Sequence, residues 1–496
     1  MKYILLITLI AFCTASCNDW LDVRPETEQK EEDQFSSVNG FFDALTGCYM
    51  TMAGSDLYGE RLMYTNIESL ANLWYTPEEM SRYEDFDLSK HDYTTDYCRS
   101  AIEAIYGGLF NTIAQANMII KYTDERADVF TDETMLNVVR GEAYAIRAYC
   151  QFDALRLFGQ MPGGAQQVQL PYSYTTSIFE MPAYYGFDEY VGLLKEDIAQ
   201  ALELLEDNDP IFEYTFEELN GGASLANDHL GYRQSRLNYW AVKALEARMH
   251  LYVGETQDAY RVAMEIIDAQ GADGAPVIEL SGAADIASGY KALPNECLFY
   301  ISKFDLHDEA LTILSGPEGN SFRPSEALVI TDDMYSDLYQ DVASTSYNRG
   351  AQMWSPISAP GSSLVYRTLQ KYYWDDEVGI GSGMTTHQLL PMLRLSEMYL
   401  IAMECAPSLT ETNDLYAVYM EEHGIAPTML TPFANEEEVE DFMLNEYRRE
   451  FFGEGQMFYT YKRTHTQDVL WLEDVEATEN FYTLPLPETE YNPNNL

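Results

Sequence analysis

The pattern that most constrains the fold is a pair of amphipathic helical segments separated by Gly254. The apolar residues that recur at the spacing of one buried helix face are Leu237, Trp240, Ala241, Ala244, Leu245 and Tyr252 before the glycine, and Ala259, Val262, Ala263, Ile266 and Ile267 after it. Two amphipathic helices joined by a tight glycine turn predict a helical hairpin. The hairpin from Arg236 to Ala269 takes 34 residues, which is the period of tetratricopeptide repeats.

Similar helical patterns recur in residues 41–52, 102–120, 142–158, 190–205, 393–406 and 439–452. They do not repeat one another by identity, so we predict that the repeats are divergent. Between them lie long stretches rich in Gly, Pro, Ser, Asn and Tyr with few two-residue alternations, notably residues 60–95, 159–187, 210–234 and 271–387. Loops of this length in a compact protein are either disordered or functional. Their aromatic content argues against disorder.

A short apolar run from Tyr3 to Phe12 follows Lys2 at the N-terminus. It is too short to cross a bilayer, which takes about 20 helical residues, and it matches the apolar region of a secretory signal peptide. Small residues then precede Cys17 in a way that resembles a bacterial lipobox, with Thr14 in place of the usual leucine. We therefore predict a signal peptide over residues 1–16 and acylation of Cys17, with ordinary signal cleavage as the alternative. Acyl chains would anchor the protein while its folded body stays in water.

The chain of 496 residues has 81 acidic and 29 basic residues and a formal net charge of −52. This excess repels phosphate backbones and anionic membrane surfaces, so it argues against nucleic acid as a partner. The runs of acidic residues are typical of solvated surface and lack the spacing of a calcium loop, and we predict no metal site and no cofactor.

The cysteines left after Cys17 are odd in number and lack a C-x-x-C pair, which favours buried free thiols over a disulfide framework; they are Cys48, Cys98, Cys150, Cys297 and Cys405.

The sequence lacks the common catalytic motifs. No G-x-S-x-G elbow, H-E-x-x-H helix or phosphate-binding loop occurs, and the seven histidines are isolated from one another. A glycosidase pair needs two carboxyl groups at a defined separation, which a sequence does not reveal. We predict that the protein is not an enzyme and keep a surface hydrolase as an alternative.

Four blocks in a shared order carry a resemblance to a known family. The first joins CNDWLDVRPETE to FDALTGCYMTM, and the second is GEAYAIRAYCQFDALRLFGQMP. The third is RLSEMYLIAMECA, and the fourth pairs EYRREFFGEGQMFYTYKR with the tail YTLPLPETEYNPN. Together they resemble the SusD/RagB-like family of Bacteroidetes surface lipoproteins, which capture nutrients beside a TonB-dependent outer-membrane transporter. Residues 60–100 and 165–385 match the family pattern only loosely.

The resemblance implies a mainly α unit over residues 17–496. In it, tetratricopeptide-like hairpins form a curved scaffold, and a large irregular part with few short strands faces the ligand. The implied function is non-catalytic binding of a nutrient oligosaccharide by a surface-exposed, lipid-anchored protein of the outer membrane, which delivers the ligand to a SusC-like TonB-dependent transporter. Peptide binding and a protein-binding scaffold without a small ligand are the alternatives.

Charged residues shared with the family lie on helical segments that also carry core-facing residues. They are Arg147, Arg156, Arg394, Glu397, Arg448, Glu450 and Glu454. Because buried charges must be paired, we expect these residues to have a structural role and not to form a site.

Exposed aromatic rings bordered by polar groups suit a sugar chain, because sugar rings present flat C–H faces. The sequence has 38 Tyr, 22 Phe and 6 Trp, more than a helical core demands, and Trp240 is discounted as a core residue of the hairpin. The predicted ligand contacts, all in polar loops, are Trp74, Tyr75, Phe322, Arg323, Trp354 and Trp374. Burial in loop packing is the alternative for each of them.

Overall fold

The computed structural model describes residues 31–77, 83–177, 180–315, 322–340, 342, 346–373, 388–473, 475–488 and 490. The predicted signal peptide (residues 1–16), Cys17 and Trp374 lie outside these residues. Helices dominate; they are α1 Glu31–Gln34, α2 Val38–Met52, α3 Asn66–Leu70, α4 Tyr83–Ser89, α5 Asp96–Glu125, α6 Glu133–Phe158, α7 Phe187–Leu205, α8 Phe216–Leu219, α9 Tyr239–Tyr252, α10 Thr256–Ile267, α11 Ala283–Ala287, α12 Leu306–Ser315, α13 Asp332–Leu338, α14 Asn348–Met353, α15 Leu395–Cys405, α16 Leu409–Glu422, α17 Glu436–Glu450, α18 Met457–Arg463 and α19 Glu479–Tyr482. Within the described ranges, no helix is both long and apolar enough to cross a membrane.

The strands are short and form small antiparallel sheets. They are β1 Leu170–Tyr172, β2 Ala183–Tyr185, β3 Cys297–Ser302, β4 Ile330–Thr331, β5 Trp354–Ile357, β6 Tyr366–Leu369 and β7 Leu389–Arg394. β1 pairs with β2, β3 pairs with β7, and the third sheet has the order β4-β6-β5.

The helical hairpin predicted from the sequence is confirmed. α9 and α10 pack against each other, and the turn between them passes through Gly254 at φ +80°. Glycine adopts this left-handed conformation without the clash that a Cβ atom causes. α6 packs against both α5 and α7, and α15 packs against both α10 and α16. The mainly α, tetratricopeptide-like fold is therefore confirmed.

The other helical patterns also lie in helices, with shifted boundaries in two segments: the helix of residues 439–452 ends at Glu450, and the segment 393–406 begins in a strand. In residues 393–406, Leu393 and Arg394 end strand β7, and the helix begins at Leu395. The stretch 271–387, which the sequence presents as irregular, contains β3 to β6 and the short helices α11 to α14. These strands have two to six residues, too few for a clear period-two pattern.

The main core contains buried charges as well as apolar side chains. Arg147 Nη2 lies 2.6 Å from Asp197 Oδ1, and Arg248 Nε lies 2.6 Å from Glu397 Oε1. Arg156 pairs with Asp153. The expectation of paired charges is therefore confirmed for Arg147, Arg156 and Glu397, and the pairing offsets the cost of taking the charges out of water.

The described cysteines carry free thiols, as predicted. Cys405 is half-buried, and the buried ones are Cys48, Cys98, Cys150 and Cys297. Burial raises the pKa of the Cys48 thiol to about 12. Because the thiolate is the reactive form, a thiol in this environment is inert at neutral pH.

Glu68 on α3 is a carboxyl group buried in the core. Its Oε1 accepts a hydrogen bond of 2.6 Å from the backbone N–H of Gly455. Burial raises the pKa of Glu68 to about 8, and this effect outweighs the hydrogen bonds from Gly455 and Gly453 and the charge of Lys371. Glu68 is therefore mostly protonated at neutral pH in the folded protein.

We expect Glu68 to make the protein less stable as the pH rises from about 5.5 to about 7.5. The unfolded carboxyl titrates near pH 4.3, so over this range the folded state binds one more proton than the unfolded state. The free energy of unfolding then falls by about 1.4 kcal/mol per pH unit, and this contribution becomes constant above the folded pKa. Denaturant unfolding should show this slope in the wild type and a flatter slope in Glu68→Gln. Parallel slopes would contradict the assignment.

Candidate ligand-binding site

A small apolar cluster lies apart from the main core. We call it the sheet-face cluster; it consists of Phe322, Ala327, Val329 and Tyr366, with Tyr75, Ile357 and Ala359 packed against it. The ring centroid of Tyr366 lies 5.9 Å from that of Tyr75 and 5.7 Å from that of Phe322. The structure therefore brings together two of the residues that the sequence pointed to, Tyr75 and Phe322, although they are far apart along the chain.

The sheet β4-β6-β5 determines which side chains reach the cluster. Ile357 on β5 is paired with Tyr366 on β6, and Trp354 is paired with Leu369. Residues that face each other across two strands share a side of the sheet, and residues three apart on one strand lie on opposite sides. Ile357 and Tyr366 therefore pack in the sheet-face cluster, whereas Trp354 and Leu369 pack in the main core.

Tyr75 is held beside the sheet by its backbone. Its N–H donates a hydrogen bond of 2.9 Å to the carbonyl oxygen of Val329, the residue before β4. The Tyr75 ring packs on the cluster and stays half-buried, whereas Trp74 packs in the main core and is only 2% exposed.

The expectation that Trp74 and Trp354 are exposed is wrong, because both are core residues. Their ring centroids each lie 4.9 Å from that of Phe452, and both contacts are edge-on. Trp74 Nε1 donates a hydrogen bond of 2.9 Å to the carbonyl oxygen of Tyr64, and Trp354 Nε1 donates one of 3.0 Å to the Tyr339 hydroxyl. The only polar atom of each indole thus has a partner, which is the usual requirement for a buried tryptophan.

The border of the cluster is exposed and mixed in character. The Arg323 side chain is 68% exposed, and its Nη1 lies 3.2 Å from Glu326 Oε1. Leu364 and Val365 are 62% and 38% exposed and directly precede Tyr366. A ligand at this surface would meet the half-buried Tyr75 ring, apolar side chains, and hydrogen-bonding groups of both kinds.

The chemistry of this surface is suited to a neutral ligand. Burial, and to a smaller extent the neighbouring Tyr75, raises the pKa of Tyr366, so its hydroxyl remains uncharged at neutral pH. At the border of the cluster, the Arg323 guanidinium forms an ion pair with Glu326. Arginine and carboxylate forks can still bind sugar hydroxyl groups while they are paired.

Sequence reasoning missed Tyr366, the residue that the other two rings contact. The run VYRTL is rich in aromatic and β-branched residues, which is typical of a strand. The strand itself has only four residues. Its pairing with β4 and β5 decides which of its side chains lie on each side of the sheet. The sequence signal was therefore present but too short to predict which side chains of the strand face the cluster.

Two groups of described residues have histidine and carboxylate atoms close enough to hold a metal ion. In the buried group His423, Glu446 and Glu450, Arg349 Nε lies 3.1 Å from Glu450 Oε2. In the other group, His250, Glu255 and Asp258, Lys195 Nζ lies 2.5 Å from Glu255 Oε1. Protein cations thus already supply positive charge in both groups, and the prediction that no metal is bound stays a prediction.

Two family models match the chain. Residues 335–495 match the model of the SusD family, and residues 19–209 match a SusD-like model described as starch-binding and associating with the outer membrane. The chain belongs to the SusD/RagB-like family.

Individual relatives are distant in sequence. SusD-like protein P25 of Formosa agariphila is 20% identical over 54% of this chain and 46% of its own length, so the match spans about half of that curated relative. A SusD superfamily protein from Bacteroides thetaiotaomicron is 19% identical, with a TM-score of 0.69 over 92% of this chain and 98% of the other. Surface glycan-binding protein A from Bacteroides uniformis is 15% identical, with a TM-score of 0.61 over 86% of this chain and 88% of the other. At these identities the solved structures show the shared fold.

Proposed function

We propose that this protein is a non-catalytic surface lipoprotein that binds a neutral oligosaccharide at the sheet-face cluster. It then delivers the oligosaccharide to a SusC-like TonB-dependent transporter. The observation that carries the proposal is the half-buried Tyr75 ring, supported from behind by Tyr366 and bordered by the exposed pair of Arg323 and Glu326. An aromatic face beside donors and acceptors is the arrangement that a sugar ring requires.

The comparisons support the class of ligand. The family model over residues 19–209 is described as starch-binding, and one structural relative is described as a glycan-binding protein. The predicted contacts Phe322 and Arg323 keep their roles in the proposal: Phe322 as a buried support and Arg323 as a hydrogen-bond donor at the border. Trp374, outside the described residues, stays a sequence prediction.

We expect Tyr75→Ala to weaken glycan binding by about tenfold. Stacking of a ring on an aromatic side chain contributes about 1–3 kcal/mol in the analogous base stacking, and about 1.4 kcal/mol corresponds to a factor of ten. Calorimetric titration with neutral hexasaccharides, beginning with maltohexaose, measures the effect. Tyr97→Ala is the matched control, because Tyr97 is a 52% exposed tyrosine on α5 outside the cluster.

Unchanged affinity of Tyr75→Ala for a bound hexasaccharide would remove the sheet-face cluster from the site. Saturable binding of peptides in place of saccharides would favour the peptide alternative. Pull-down of a transporter without saturable binding of either ligand would favour a protein-binding scaffold. Release of sugar products from the hexasaccharides would contradict the non-catalytic role.

We expect Cys17→Ala to release the protein from the outer-membrane fraction without changing its fold. The acyl chains attached at Cys17 are the proposed anchor, and their buried CH₂ groups contribute about 0.8 kcal/mol each. Membrane fractionation after a salt wash and circular dichroism of the released protein measure the two effects.

In a gentle detergent extract, the wild type should co-purify with a TonB-dependent barrel. Retention of Cys17→Ala in the membrane would contradict the proposed lipid anchor. Purification of the wild type alone, from an extract that contains the transporter, would contradict the proposed complex.

A further inference from the structure

A second cleft lies at a different place in the fold, where a 3₁₀ helix, Arg233–Ser235, meets the end of β3. Its volume is about 280 Å³. We call it the Tyr232 cleft; its walls include Asp228, Tyr232, Ser235, Arg236, Tyr300 and Ser302. This volume is near the lower end of the range of roughly 300–1,000 Å³ for small-molecule sites. The cleft therefore has room for a single sugar ring but not for a folded chain.

Tyr232 has an unusual backbone conformation. It lies at φ 51° and ψ 46°, in the left-handed region, and its side chain remains 51% exposed. The conformation is held from both sides: its N–H donates to the carbonyl oxygen of Leu219, and its own carbonyl oxygen accepts from the N–H of Ser235, both at 2.9 Å. A bulky residue is rare in this region, which favours glycine and asparagine. The strain places an aromatic ring at the edge of the cleft instead of in the core.

The second wall of the cleft is also aromatic. Tyr300 on β3 is buried, and burial, followed by smaller effects of Cys297 and Tyr232, raises the pKa of its hydroxyl to about 12. Two residues beyond Ser302, Phe304 is 85% exposed. The cleft itself is lined by two tyrosine rings, the exposed Tyr232 and the buried Tyr300.

The polar groups of the cleft include both donors and acceptors. Asp228 and Ser302 are exposed at its walls. The Arg236 guanidinium lies over the Tyr49 ring, 5.4 Å from its centroid, and its buried Nη1 makes no hydrogen bond with the described residues. The nearest carboxylate oxygen to this nitrogen, Glu142 Oε2, is 3.9 Å away. Because this nitrogen is buried, the accessible polar groups at the walls are those of Asp228 and Ser302.

We propose that the Tyr232 cleft is a second saccharide-binding site, which takes one neutral pyranose unit. The Tyr232 ring would stack on the sugar face, the Ser302 hydroxyl would donate to a sugar oxygen, and Asp228 would accept from a hydroxyl group. A neutral sugar fits better than an anionic one, because Asp228 lines the cleft and the whole chain carries a net charge of −52. The inference rests on the proposed glycan-binding function but concerns a different surface.

The test compares Tyr232→Asn with the wild type. Asparagine tolerates the left-handed conformation, so the variant removes the ring and relieves the strain. We expect its melting temperature to be equal or higher and its binding of a sugar to weaken about tenfold, as for loss of one stacked ring. Saturation-transfer NMR measures the binding of the methyl glycosides of glucose, galactose and mannose. Tyr97→Ala is the control. A purely structural role of Tyr232 predicts the opposite result, a lower melting temperature and unchanged binding.

A second variant, Ser302→Trp, places a large side chain in the cleft and leaves residue 232 a tyrosine. It should weaken the same saturation-transfer signal. The outcomes also separate this inference from the proposed function. Loss of monosaccharide binding in Tyr232→Asn but not in Tyr75→Ala supports the second site, whether or not the sheet-face cluster binds hexasaccharides. Loss only in Tyr75→Ala overturns the second site and leaves the proposed function intact. Failure of the wild type to bind any of the three glycosides also overturns the second site.

Discussion

Arg394→Met is expected to reduce the free energy of unfolding by about 3–5 kcal/mol, the usual result of removing one partner from a buried ion pair. Arg394 Nε lies 2.9 Å from Glu454 Oε2, and its Nη1 lies 2.6 Å from Glu450 Oε1 and also contacts Glu296. The side chains of Arg394 and its partners are at most 4% exposed. The variant would leave three buried carboxyl groups without their shared cation.

The electrostatics of Glu450 support this expectation. Burial acts to raise the pKa of Glu450, but the charges of Arg349 and Arg394 outweigh it and hold the pKa well below the usual value. Loss of Arg394 therefore forces Glu450 either to stay charged in a less favourable environment or to bind a proton. Either outcome destabilises the folded state at neutral pH.

Chemical denaturation of Arg394→Met measures the loss, and two further variants control it. Arg394→Lys keeps the charge but loses the planar fork, so its stability should fall between those of the wild type and the methionine variant. Arg323→Met removes an ion pair at the surface and should change stability by no more than about 1 kcal/mol. A methionine variant as stable as the wild type would show that the buried carboxyl groups do not depend on Arg394.

Trp74→Ala is also expected to cost about 3–5 kcal/mol of stability, the usual range for truncation of a buried tryptophan. The indole is 2% exposed, packs edge-on against Phe452, and donates its N–H to the carbonyl oxygen of Tyr64. Trp74→Phe would keep an apolar ring but lose the hydrogen bond to that carbonyl oxygen, which costs about 0.5–1.5 kcal/mol. Thermal unfolding of both variants measures these losses.

The matched control is the next residue in the chain. Tyr75→Ala should affect stability less than Trp74→Ala, because Tyr75 is only half-buried, and it should affect glycan binding more. If Trp74→Ala keeps the wild-type melting temperature and loses hexasaccharide binding, the core assignment of Trp74 is wrong. Trp74 is then a ligand contact, as the sequence predicted.

The candidate site shows where sequence reasoning stops. Tyr75 and Phe322 were predicted as ligand contacts from separate stretches of the sequence, and the structure places both in the sheet-face cluster, with Arg323 next to Phe322; that they bind a ligand stays a prediction. The same argument misplaced Trp74 and Trp354, which lie in comparable loops but pack in the main core. Tyr366 was missed because four strand residues give too short a pattern.

The sequence by itself determined the helical hairpins, the free thiols and the paired charges of the core. Helical periodicity is local: the spacing of Ala241, Ala244 and Leu245 already defines a buried face, whatever that face packs against. Only the tertiary structure decided which of two adjacent aromatic residues is buried. That choice depends on the hydrogen bond from the Tyr75 N–H to the Val329 carbonyl oxygen, and the energy of such a contact between distant parts of the chain exists only after the sheet has formed.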